Sequence, residues 1–270
     1  MRKQFPVEFV YQVFALVISA VVVHAIYTAV IRPQARAVLD DLAQKVEAAA
    51  GTGKYVAMQP NIFVIVKGPE QELAIIFALW AFAIMGYKFR NVGAERRLFD
   101  IDMVSVAEGE SILPEDARAH SRAIESMPLD SRDRLLPRLY QNALNRFRIT
   151  RSVQDASDEA RRVAESANDR LDAELAIVRY ICWAIPSIGF VGTVRGIGDS
   201  LGHAQAVLQG DMTGVTEALG VAFNSTLVAL LLSLITVFLL YQLQLVQERL
   251  VLDAHQDCER KLIQNLQAPA

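Results

Sequence analysis

The stretch ALGVAFNSTLVALLLSLITVFLLYQLQLVQ, residues 218–247, contains no Asp, Glu, Lys or Arg. A bilayer is crossed by about 20 predominantly apolar residues in a helix, so this run is more than a span long. Residues 9–31, between Glu8 and Arg32, are a second such run. That run is too long for a signal-peptide core and lacks a small-residue cleavage site, so it reads as a retained span. Two shorter runs, 73–87 and 180–194, lie between Glu72 and Lys88 and between Arg179 and Arg195. By length alone either fits a buried soluble helix as well as a span. In a chain already anchored twice, with Lys88, Arg90 and Arg179 able to reach headgroups, both read as spans. The expectation is an all-α membrane protein with about four transmembrane helices, two of them extended into a helical cytoplasmic domain.

The rest of the composition agrees. Of 270 residues, 53% are hydrophobic, and the net charge of −3 gives no sign of nucleic-acid binding. Cys182 and Cys258 have no metal-ligand spacing and read as inert packing thiols. No nucleophile–base pair, metal cluster or cofactor motif is visible, so the chain reads as no enzyme, with no catalytic residue and no metal.

Basic residues set the orientation. Arg2 and Lys3 precede the first span, Lys88, Arg90, Arg96 and Arg97 follow the second, and Arg161, Arg162 and Arg170 precede the third. The positive-inside rule makes these flanks cytoplasmic. The layout is then 1–31 N-terminus and first span, 32–72 outside loop, 73–87 second span and 88–175 cytoplasmic helical domain. It continues as 176–201 third span, 202–214 short outside loop, 215–245 fourth span and 246–270 cytoplasmic tail.

In the outside loop, Ala35, Leu39, Leu42 and Val46 form an amphipathic stretch up to Gly51-Thr52-Gly53, and Ile62–Val66 suggests a short extended segment. Pro114-Glu115-Asp116 and Pro128-Leu129-Asp130 fit first helical turns, the second opening a segment that ends near Phe147. The stripe Val153, Ala156, Ala160, Val163, Ala167 and Leu171 has helical spacing and meets no Pro or Gly before the third span, which predicts one continuous helix. From Val215 to about Ile263 only Gly220 disfavours helix, so the fourth span overruns the bilayer.

Polar residues inside the apolar runs carry the functional signal. Gly189, Gly192 and Gly196 give the third span a face without side-chain bulk, suited to close helix packing, and Pro186 cannot donate to the helix ladder. Thr193 either bonds back to a main-chain carbonyl or lines a path. Arg195 needs the interface, water or a carboxylate; snorkelling and pairing with Glu217 or Asp199 both remain open. In the fourth span Asn224, Ser225 and Thr226 interrupt the apolar run and suggest a water-lined surface, although adjacent positions point about 100° apart. His24 has no acidic neighbour in its own span and reads as structural. No Asp or Glu lies near the middle of any span, so a titrating acid in a conducting path would come from another chain.

Residues 189–197, Gly-Phe-Val-Gly-Thr-Val-Arg-Gly-Ile, resemble the Gly-Leu-x-Gly-Thr-Val-x-Gly-Ile motif of the MotA/TolQ/ExbB proton-channel family. Glu217-Ala218-Leu219 resembles the Glu-Ala-Leu that begins that family's last span. The motif looks TolQ/ExbB-like, while four spans look MotA-like. The resemblance implies a homopentamer around two copies of a single-span ExbD/TolR/MotB-like subunit, which brings the membrane aspartate. It implies ion flow, with protons the expected ion, coupled to work at the envelope of a bacterial inner membrane, with both termini cytoplasmic. Carried over by position, Thr193 is the pore hydroxyl of the third span and Glu217 the acid at the outer end of the fourth. The usual last-span threonine position is Ala222 here, so Thr226 or Ser225 would substitute; Arg195 stands where such proteins commonly carry Trp. The rival reading from another class is a non-conducting helical scaffold that recruits partners through residues 88–175, and a flagellar-stator-like torque subunit is the variant within the family.

Overall fold

A computed structural model describes residues 7–49, 61–101, 103–104, 111–208 and 211–268. The helices, in chain order, are α1 (Val7–Ile26), α2 (Arg32–Ala49), α3 (Ile62–Val66) and α4 (Pro69–Arg96). Then come α5 (Ala117–Glu125), α6 (Leu129–Arg132), α7 (Leu135–Thr150) and α8 (Val153–Ala173). The series ends with α9 (Ala176–Gly202), α10 (Ala204–Leu208) and α11 (Thr213–Lys261). A π-helical turn, Tyr27–Ile31, joins α1 to α2. Among the described residues there is no β-strand, only an isolated bridge between Ile112 and Leu266.

Among the described residues four helical stretches are long and apolar enough to cross a membrane: Glu8–Lys45, Pro69–Asp100, Val153–Gly202 and Thr213–Asn265. Large apolar side chains such as Phe14, Val21, Trp183, Phe190, Phe223, Leu234 and Phe238 are exposed on them. Bare apolar faces on this scale need lipid or another chain to cover them. The protein is an all-α, multi-pass membrane protein. The second span is better built than its fifteen-residue run suggests: α4 starts at Pro69, where a missing N–H costs nothing, and runs for 28 residues.

The chain divides into two compact units, Met1–Met85 with Ile177–Leu240, and Gly86–Ala176 with Tyr241–Ala270. In the first, α1 and α4 pack antiparallel. The Tyr11 hydroxyl donates to the Ala83 carbonyl at 3.1 Å and the Trp80 indole to the Gln12 carbonyl at 2.8 Å. Small residues Ala74, Ala78 and Ala81 recur at helical spacing on the buried face of α4, which allows close approach.

The second unit has its own core, with Leu139, Tyr140, Leu144 and Phe147 of α7, Ala156 and Ala160 of α8, and Ala254 and Cys258 of α11. The helical stripe read from the sequence is this core's α8 face, since Val153, Val163, Ala167 and Leu171 pack against the same cluster. The Tyr140 hydroxyl donates to Asp257 Oδ2 at 2.9 Å inside it.

Several local expectations need correction. Ile62–Val66 is a helical turn, not an extended segment. Asn61 adopts an extended backbone and its side chain accepts the Phe63 N–H at 2.9 Å, so a cap outweighs the β-preference of the branched residues. Pro114–Asp116 form a turn ahead of α5 rather than its first residues. The helix expected from Leu129 is interrupted after Arg132: Pro137 lacks an N–H, and its ring excludes the carbonyl four residues back, so a new helix begins at Leu135. The helix expected to run unbroken from α8 into the third span is interrupted at Glu174 and Leu175, where the Leu175 N–H bonds the Asp172 carbonyl three residues back. By contrast α11 is one helix of 49 residues, as its composition predicts. The Gly51-Thr52-Gly53 break lies outside the described residues.

Candidate functional site

The seam between α9 and α11 is the best-defined polar feature inside an apolar region. Gly189 meets Ala229, Gly192 meets Ser225 and Gly196 meets Ala222. One set of numbers rises as the other falls, so the helices run antiparallel. A Cβ at Gly192 would lie 2.5 Å from the Ser225 Cβ, and one at Gly196 would lie 2.7 Å from the Ala222 Cβ. Only glycine permits this spacing, which makes the glycine face a contact surface.

Pro186 contributes to the same seam. Its missing N–H leaves the Cys182 carbonyl, four residues back, without its helical donor. The Ser233 hydroxyl of α11 donates to that carbonyl at 3.3 Å. A helix defect in α9 is thereby turned into a bond between helices.

At the edge of the seam Thr193 Oγ1 and Thr226 Oγ1 are hydrogen-bonded to each other. Thr193 Oγ1 also lies 3.2 Å from the Ala222 carbonyl and 3.3 Å from that of Gly189. Thr226 Oγ1 lies 3.2 Å from the Gly189 carbonyl. Two hydroxyls carry two protons but four lone pairs. Once both protons are given to carbonyls or to each other, acceptor capacity remains at a half-buried position.

The three consecutive polar residues of α11 divide. Ser225 is 1% exposed, faces Gly192 and donates to the Val221 carbonyl at 2.9 Å. Ala222 is likewise enclosed in the seam. Asn224 is half-buried and lies about 200° around the helix from Thr226, so it does not join the hydroxyl pair.

Charges at the N-terminal ends of α4 and α11 form three clamps. Arg195 binds Glu70 Oε2 at 2.8 Å, Lys67 binds Glu217 Oε1 at 3.2 Å, and Glu72 holds His24 on one oxygen and Arg32 on the other, each at 2.7 Å. Arg195 therefore pairs with neither Glu217 nor Asp199, and exposed Asp199 offers its main-chain carbonyl to His203. His24 does have an acidic neighbour, supplied by α4. Sequence reasoning missed Glu70 and Glu72 because their partners are 40 to 125 positions distant in the chain. The available signal was two acids in the first turn of an apolar helix, where the dipole favours negative charge.

Cys182 and Cys258 are both free. Burial pushes the Cys258 thiol pKa up, with Glu259 and Asp257 adding to it. Among the described residues no group of three His, Cys, Asp or Glu could hold a metal.

Four apolar helices among the described residues, two of them joined along a glycine seam with a hydroxyl pair at its edge, make this a membrane protein with a polar contact inside its apolar region. Residues 131–256 of this chain match the MotA/TolQ/ExbB proton channel family, the family that its motifs resemble, and over this stretch the chain is similar to that family. The match runs from α6 into α11 and contains both Gly189–Ile197 and Glu217–Leu219; Glu70 and Glu72 lie outside it. No curated protein and no solved structure matches the chain.

Proposed function

We propose that this protein is the multi-span subunit of an ion-driven motor in a bacterial inner membrane. Five copies surround two copies of a single-span subunit whose membrane aspartate carries the ion, a proton by preference. The observation that carries this reading is the Thr193–Thr226 hydroxyl pair, with acceptor capacity in an otherwise apolar region. Thr226 takes the place of the usual last-span threonine, while Ala222 and Ser225 set the depth of the seam and Asn224 stands apart. Glu217 and Arg195 supply charge near the outer mouth. Hydroxyls that share lone pairs can hydrate or position a cation without binding it tightly, as conduction requires. Residues 88–175 and 246–270 form the cytoplasmic part, and both termini are cytoplasmic, in keeping with the basic flanks.

The test is the double variant Thr193→Val, Thr226→Val, expressed with its single-span partner and assayed for ion uptake in inverted vesicles. The expected result is an assembled complex without uptake. Assembly with undiminished uptake would overturn the hydroxyl pair as the ion path, and a wild-type complex without uptake would leave a non-conducting scaffold. Removing the sodium gradient separates sodium from proton coupling.

A further inference from the structure

We propose that Glu70 is a positioning residue for ion passage, acting through Arg195; this rests on the channel reading above. Arg195 lies two residues beyond Thr193 on α9 and its side chain is 44% exposed, while the Glu70 side chain is only 11% exposed. The guanidinium reaches across to Glu70 Oε2 at 2.8 Å. Glu70 is also packed into the seam, since a Cβ at Gly192 would come within 3.1 Å of its Cγ. The carboxylate is thus anchored on α4 beside the residue that precedes Thr193, and it draws the cation toward α4.

An unneutralised guanidinium this close to a cation path would raise its electrostatic barrier, as arginines do in pores that exclude cations. Glu70 both cancels that charge and fixes where it sits. The two neighbouring clamps do not substitute, because Glu217 is occupied by Lys67, and Glu72 by His24 and Arg32. Glu70 is the carboxylate that the structure assigns to Arg195.

The experiment measures ion uptake in inverted vesicles containing the whole complex. Glu70→Gln is expected to lower uptake about tenfold or more, because an uncompensated charge acts strongly at low dielectric. The double variant Glu70→Gln, Arg195→Gln is expected to recover the uptake lost in Glu70→Gln, because it removes the uncompensated cation. A purely structural clamp predicts the opposite, since the double variant would be no better than Glu70→Gln; that outcome overturns the proposal. If Glu70→Gln does not assemble, the swapped pair Glu70→Arg, Arg195→Glu keeps the contact and decides the matter. Uptake retained in the swap supports the proposal, and uptake lost in an assembled swap overturns it. Failure of the channel reading would look different, because the wild-type complex would then show no uptake, or Thr193→Val, Thr226→Val would conduct as well as wild type.

Discussion

Thr193 and Thr226 share a hydrogen bond across α9 and α11, and both hydroxyls lie within bonding distance of the Gly189 carbonyl. This contact identifies the residue of α11 that faces the third-span threonine at the edge of the seam. Thr226→Val is therefore expected to lower ion uptake about tenfold or more, as loss of a positioned polar group in a path does. Ser225→Ala, whose hydroxyl is enclosed and bonded to its own helix, should stay within about twofold of wild type. Uptake assays on the two single variants check the assignment, and equal losses would contradict it.

Glycines in the seam and outside it should respond differently to substitution. Gly196→Ala places a methyl 2.7 Å from the Ala222 Cβ and 2.8 Å from the Ala218 carbonyl. Overpacking of this kind costs about 1–3 kcal/mol, read as a lower melting temperature in detergent. Gly198→Ala meets nothing within 4 Å and should be neutral or slightly stabilising.

The bond between Ser233 and the Cys182 carbonyl depends on Pro186. Ser233→Ala should cost about 0.6 kcal/mol, typical of a hydrogen bond between membrane helices. In a Pro186→Ala background the Cys182 carbonyl regains its helical donor, and the serine substitution should cost almost nothing. A double-mutant cycle in thermal stability measures the coupling; additive effects would contradict this account.

Cys258 should resist alkylation in the folded protein. Its thiol is fully buried and its pKa is raised well above the ordinary 9.0, so the reactive thiolate stays scarce even when pH rises through the usual thiol range. Mass spectrometry after maleimide treatment, with and without denaturant, checks this. Labelling of the folded protein at the rate of a free thiol would refute it.

Glu174 gives the second unit an acid-sensitive contact. Burial works to raise its pKa, but Lys88 at 2.6 Å and Arg170 at 2.9 Å prevail and hold it below the ordinary 4.5. A carboxylate with a lowered folded pKa adds stability that is complete above its unfolded value. That stability is lost as pH falls through the folded one. The wild-type melting temperature should drop on acidification below pH 4.5, and Lys88→Met should flatten that part of the profile.

Composition alone determined the four membrane helices, the 49-residue final helix and the apolar face of α8, because charge-free runs and helical periodicity are local properties of the chain. The glycine spacing likewise announced a close helix contact, and the motifs around Thr193 and Glu217 carried the resemblance to the matched family. The break before Leu135 is less legible, because apolar residues keep helical spacing on both sides of Pro137 while its missing N–H and its ring act only on the turn before it. Only the tertiary structure decided which hydroxyl meets Thr193 and which carboxylate holds Arg195. Both answers depend on helix register and on side chains brought together across 33 and 125 positions of sequence. Periodicity fixes the face that a residue occupies on its own helix, whereas its partner is fixed by how two such faces pack.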